Sequence, residues 1–263
     1  MTTTADLVSS ASAKIGAFGS AYYFVPETGA VAQEHGLDIF RLYFLGRGGV
    51  LGNVEPSVVA AAFGYFEPGL IEKMWITAQK RSSLSPREAG TLYFEVCGEF
   101  GRRNFANVDN LQAFCDAAEK VSNAVDPAGL ALYAGLSVEP LAEDLPARAM
   151  QLIAVLREFK GGVHLMSVVT SGLSPKIAHG VRRPDFWQAF GYSAESLPTG
   201  TDEEQRVLDQ ADELTARLIT PVYGVLTESE GDALEAGLTA MGAAMPENAS
   251  IQLDKNPAKN ARM

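Results

Sequence analysis

Along most of the chain the apolar residues return every three or four positions, and nowhere do they alternate with polar ones long enough to make a strand. A helix buries i, i+3, i+4 and i+7 on one face, whereas a strand buries every second residue. Leu7, Val8, Ala11, Ile15, Phe18 and Tyr22 have the helical spacing and predict a helix from Ala5 to about Tyr23, closed by Pro26. A short helix from Glu27 to His35 follows, with Gly36 as its left-handed stop. The apolar run 38–46 opens with Asp38 and reads as a buried helix. The next four-glycine stretch, 46–53, reads as an interhelical loop.

Punctuation supports the same reading further on. Pro56 sits where a first-turn proline belongs and starts a helix over 57–66, and another fits 69–80. Ser85, Pro86 and Glu88 form a cap signature, and the helix they start runs to Phe100, with Gly101 to Asn104 as its stop. Helices fit 108–124, 128–136, 145–159, 162–172 and 175–182, with a short one at 185–190. After a Ser/Pro/Thr/Gly linker over 196–202, Leu208, Ala211, Leu214, Leu218 and Val222 form one stripe, interrupted by Pro221. The expected fold class is all-α, with ten or eleven helices.

Charge narrows the partners. Lysine and arginine number 21 against 32 aspartates and glutamates, a formal charge of −11. Duplex binding draws most of its affinity from neutralising phosphate, so this balance argues against nucleic acid and against an anionic membrane surface. No apolar run reaches the roughly 18 residues that a membrane span needs, and no basic-then-apolar leader opens the chain. Cys97 and Cys115 lie outside any CxxC pattern and read as reduced, buried residues. The expected location is cytoplasmic.

Candidate chemistry concentrates in two stretches. The first, 157–180, holds His164 and His179 with Arg157, Lys160 and a Gly-Gly pair. An imidazole changes charge near neutral pH, so His164 is the candidate general base. The second, 41–68, surrounds Arg47 with aromatic side chains. An arginine beside such rings suits a carboxylate or planar ligand. Arg47 and Tyr65 are the expected orienting groups, and Tyr23, Tyr43, Phe63, Phe66 and Arg157 the expected ligand contacts. No HExxH or other close His pairing exists, so no metal or other cofactor is expected.

Tyr23 to Glu27, then 46–68, Asp126 to Gly129, and 156–175 recur together in an actinobacterial family of all-α helix-turn-helix proteins, which this chain resembles. The resemblance implies a winged-helix-like region beginning near His164. Relatives continue with a glycine-tryptophan turn, a helix and a polar wing. Here Gly191, Tyr192 and Ser193 lead almost directly into the last long helix, so the wing is lost. The expected organisation is an N-terminal helical domain over 5–140, a C-terminal one over 141–245 closely packed on it, and a disordered tail over 246–263.

Two functions fit these features best, beside a structural or partner-binding module, which an empty, well-packed interior would mark. One is a protein of secondary metabolism that encloses a small aromatic or polyketide-like molecule, with a catalytic step left open. Such a step would be a cofactor-independent isomerisation, cyclisation or elimination, with His164 as base. The other is a ligand-responsive transcription regulator, dimeric through the helices of 203–240, with Arg157, Lys160, Lys176, Arg182 and Arg183 as its basic face.

Overall fold

A computed structural model describes residues 3–246, and among them there are twelve α-helices and no strand. They are α1 (Thr4–Phe18), α2 (Pro26–Glu34), α3 (Ile39–Gly49), α4 (Pro56–Phe63), α5 (Pro68–Arg81) and α6 (Pro86–Phe105). The second half holds α7 (Leu111–Asn123), α8 (Ala131–Leu136), α9 (Leu145–Thr170), α10 (Pro175–Arg182), α11 (Asp202–Tyr223) and α12 (Glu228–Ala244). Two 3-10 turns, Pro184–Phe186 and Ala194–Ser196, occupy the stretch between α10 and α11. The fold is all-α as its periodicity requires. The tail expected from 246 onward lies, beyond Pro246, outside the described residues.

Helix starts follow the cap chemistry. Asp38 accepts the Arg41 backbone N–H at 2.9 Å and pairs with the Arg41 guanidinium, both side chains being buried. Arg41 Nε also donates to Thr77 Oγ1 at 3.0 Å, so the buried charge is both paired and hydrogen-bonded. Thr3 and Thr227 make capping boxes with Asp6 and Glu230.

Several expected breaks are absent, and packing explains them. The 46–49 stretch is not a loop, because α3 runs through Gly49. A β-carbon on Gly49 would lie 2.0 Å from the Pro86 carbonyl oxygen, so glycine serves close approach here rather than a turn. Gly101 and Gly161-Gly162 likewise stand inside continuous helices, α6 and α9. At Gly101 a β-carbon would meet the Pro146 carbonyl at 2.2 Å. By contrast α1 stops at Phe18 rather than Tyr23, and Pro26 starts α2 as well as ending what precedes it. The helix expected at 185–190 is reduced to a 3-10 turn. In α11 the buried residues are Leu208, Ala211, Thr215, Ile219 and Tyr223, while Leu218 is exposed and Pro221 is carried without a break.

The chain forms two compact units, each assembled from separated segments. The first takes the described residues of Met1–Val25, Phe94–Val163 and Thr215–Ile251; the second takes Pro26–Tyr93 and His164–Leu214. The residues of α6, α9 and α11 are each shared out between the two cores.

In the first unit α12 packs on both α7 and α1. In the second, α3 and α5 pack together, with α2 on α3 and α4 on α5. A further core there gathers Val168, Leu173, Ala178, Leu208 and Ala211 from the end of α9, α10 and the start of α11. Helix α9 is joined to α10 by a four-residue turn over 171–174 with Gly172 at φ 83°.

Candidate functional site

Gly64 ends α4 at φ 74°, where a β-carbon would lie 2.5 Å from a Leu165 methyl. The next residue, Tyr65, is thereby directed into the core made by α9, α10 and α11. Its ring stacks on His164, with centroids 6.3 Å apart, and lies 6.5 Å from that of His179. The Tyr65 hydroxyl is buried with no hydrogen-bond partner. Burial raises its pKa well above the usual phenol range, with Arg182 opposing the shift and Asp212 adding to it. Tyr65 is thus a fixed neutral donor.

His164 projects from α9 with its side chain three-quarters buried, and its Nδ1 lies 3.5 Å from Asp212 Oδ1. Arg182 Nη2 donates to the other oxygen of Asp212 at 2.5 Å. The contact is an ion pair only when the imidazole carries a proton. One turn along α9, Ser167 has a buried hydroxyl without a hydrogen-bond partner.

His179 is the second imidazole of this region. It is buried between Phe190, 3.9 Å away by ring centroid, and Trp187 at 6.3 Å. Burial pushes its pKa down to about 4, helped by Arg183 and opposed by a backbone hydrogen bond with Phe186, so it is neutral at physiological pH. Its Nε2 has no hydrogen-bond partner. The segment after α10 covers it. Phe190 stacks on Phe66 at 4.0 Å, its carbonyl accepts the Glu67 N–H at 2.8 Å, and Trp187 Nε1 donates to the Ser193 carbonyl at 2.8 Å.

The remaining expected residues are distributed differently. Tyr43, Phe63 and Phe66 are at most 7% exposed. Tyr43 meets Phe63 edge to face at 5.8 Å, and Phe44 stacks on Phe63 at 5.6 Å. These rings pack on one another as core, because Phe40, Tyr43 and Phe44 share one face of α3 at i, i+3 and i+4. Arg47 caps that core at its half-exposed end, 4.3 Å over Phe63, and donates to Tyr43 Oη at 3.2 Å. Tyr23 and Arg157 meet in the first unit instead. There Arg157 Nη1 donates to Tyr23 Oη at 3.0 Å and lies 3.4 Å from the buried Glu158 carboxylate.

Of the eight residues singled out, the second unit therefore joins Tyr65 to His164 in one polar group. Asp212 was missed. It lies beside Ala211 at the edge of the buried stripe of α11, and a carboxylate at such an edge was its only signal. Arg182 was legible as a basic residue but not as the partner of Asp212.

Among the described residues no group of three or more histidines, cysteines, aspartates or glutamates is placed to hold a metal ion. None of their helices is long and apolar enough to cross a membrane.

Twelve α-helices and no strand among the described residues define an all-α protein. The chain belongs to a helix-turn-helix family, whose model matches residues 8–252. No curated protein and no solved structure matches it significantly. Between α10 and α11 the described elements are the two 3-10 turns.

Proposed function

We propose that this protein binds a small molecule through the Tyr65, His164 and Asp212 group and uses its helix-turn-helix as a scaffold rather than as a DNA reader. One observation carries the reading: His164 is held by a carboxylate on one side and stacked on a buried, partnerless tyrosine hydroxyl on the other. A ligand carbonyl or enol oxygen supplies the acceptor that Tyr65 lacks. With Asp212 at Nδ1, His164 Nε2 takes a proton from the adjacent carbon or oxygen, and no cofactor is needed for that transfer. An aromatic or polyketide-like molecule, in which such protons are acidified by neighbouring carbonyls, suits this chemistry and a cofactor-independent isomerase or cyclase. Two free, buried cysteines accord with a cytoplasmic setting.

Native mass spectrometry of freshly purified protein, alongside Tyr65→Phe and His164→Ala, tests the reading. The wild type is expected to retain a small-molecule adduct that Tyr65→Phe releases. His164→Ala is expected to retain the adduct but lose the ability to exchange its acidic proton with deuterated solvent. A wild type that carries no adduct and takes up none from host-cell extract sinks the reading.

A second reading has its own support. Lys176, Arg182 and Arg183 are exposed on or beside α10, the second helix of the helix-turn-helix, as a regulator's contact face would require. Arg182 is committed to Asp212, and the overall charge is −11. This regulator, dimeric through α11 and α12, predicts promoter binding that weakens steeply with salt. The absence of any shift at low salt removes it.

A further inference from the structure

The ring of Phe190 is held between two others. It lies 4.0 Å from Phe66 by ring centroid, with 9° between the planes, and 3.9 Å from His179, with 25° between them. Both walls belong to the packed core of the second unit. Phe66 and His179 are 7% and 6% exposed, and Phe66 also meets Phe44 edge to face at 5.0 Å. The filling is different. Phe190 is only half-buried, and it comes from the stretch between the turns Pro184–Phe186 and Ala194–Ser196, which holds no α-helix. Its backbone is tied down independently of its ring, because its carbonyl accepts the Glu67 N–H and Trp187 Nε1 donates to the Ser193 carbonyl. Rotation about the side-chain bonds is therefore enough to empty the space, and the half-buried edge gives the ring a way out. Two flat faces with room for one ring between them suit a planar guest and serve a saturated one poorly, since stacking needs a π-face. The walls carry no charge, because buried His179 is neutral above about pH 4. Tyr65 precedes Phe66, its ring lies 6.5 Å from His179, and its buried hydroxyl has no hydrogen-bond partner, so an oxygen on an incoming ring finds a donor nearby.

We infer that the space between Phe66 and His179 is a binding slot for a planar, uncharged aromatic ring, which the chain fills with its own Phe190 until a ligand displaces it. Phe190 is then an intramolecular competitor, and the ligand's affinity is set by how firmly that ring is stacked. The inference deepens the reading of Tyr65 and His164 and takes from it the contact to the Tyr65 hydroxyl. The slot itself stands on Phe66, Phe190 and His179.

The test is isothermal titration calorimetry of the full chain with 2-naphthol and with decahydro-2-naphthol, which share a carbon frame and a hydroxyl but differ in flatness. Phe190→Ala is expected to bind one 2-naphthol per chain about tenfold or more tightly than the wild type, because two stacked pairs no longer have to be broken. Phe190→Trp, a larger plug, should bind it more weakly than the wild type. Decahydro-2-naphthol should bind Phe190→Ala about tenfold more weakly than 2-naphthol does. Adding His179→Leu to Phe190→Ala removes one flat wall and should cancel the gain. Should Phe190→Ala fail to fold by circular dichroism, Phe190→Leu keeps an apolar filling without a flat face and is expected to show the same direction of change. Absence of 2-naphthol binding in the folded variant, affinity no higher than in the wild type, equal affinity for the saturated analogue, or a gain that survives His179→Leu each overturns the inference. Tyr65→Phe separates the two readings. A gain in Phe190→Ala that Tyr65→Phe leaves undiminished supports the slot and removes Tyr65 as its donor, whereas a retained host adduct without any gain in Phe190→Ala overturns the slot and leaves the Tyr65 reading standing.

Discussion

Replacing Gly49 with alanine puts the helix packing of the second unit to a direct test. The added β-carbon would stand 2.0 Å from the Pro86 carbonyl oxygen and 2.9 Å from the Gly90 nitrogen. Ordinary van der Waals contact begins at 3.4 Å, and both obstacles are backbone, so no side chain can swing aside. The end of α3 and the start of α6 must separate by more than an ångström, which disturbs the neighbouring approach of Val50 to Gly90. Overpacking of this kind costs about 1–3 kcal/mol, and a backbone obstacle belongs at the upper end. The helix-propensity gain of alanine over glycine, about 0.5–1 kcal/mol, is only partly available at the last residue of α3. The net expectation is a loss of about 2 kcal/mol. Urea unfolding followed by circular dichroism should then show a midpoint about 1 M lower, given slopes of about 1–3 kcal/mol per molar for chains of ordinary size. Gly29→Ala is the control in the same unit. Its β-carbon would meet only an Ile39 methyl at 3.7 Å inside α2, so its midpoint should rise by a few tenths of a molar. A Gly49→Ala protein with the wild-type midpoint would refute the close-approach account of α3.

Three further outcomes follow from named residues. Gly161 lies exposed within α9, and a β-carbon there would meet nothing within 4 Å, so Gly161→Ala should stabilise by about 0.5–1 kcal/mol in thermal unfolding; destabilisation would argue that α9 breaks at that point. His179 stays neutral in the fold down to about pH 4, while in the unfolded chain it protonates near its ordinary value of 6.5. The unfolded state therefore binds the extra proton between those values, and stability falls as pH drops from 6.5 toward 4, by on the order of 3 kcal/mol from this group. His179→Phe keeps the stack on Phe190 and Trp187 and should flatten that part of the profile; parallel wild-type and variant profiles would exclude the buried imidazole as its source. For the Tyr65 group, Asp212→Asn should weaken proton exchange of a bound ligand while leaving its retention intact, and unaltered exchange would exclude the carboxylate from positioning His164.

The sequence alone determined the class of structure. Helical spacing, cap residues such as Asp38 and Ser85, and first-turn prolines at 56 and 86 are local signals, read within one turn of the chain, and the helices they define are present. Local signals do not say what a glycine is for. The same residue type ends α4 at Gly64 through its left-handed backbone, yet lets α3 continue through Gly49 to meet α6. Only the neighbour's carbonyl oxygen distinguishes the two. Nor could spacing reveal that Tyr43, Phe63 and Phe66 pack against each other as core, since an aromatic face looks the same whether another ring or a ligand covers it. Tertiary structure likewise decided the site. His164 and Tyr65 were legible as residues with chemical potential, but Asp212, whose carboxylate lies 3.5 Å from the imidazole, comes from a helix 48 residues further along. It reaches His164 because Leu208 and Ala211 bury α11 against α9 and α10. Periodicity fixes which face of a helix is apolar; which helix covers that face, and which polar edge then lies beside which, is settled only when the cores close.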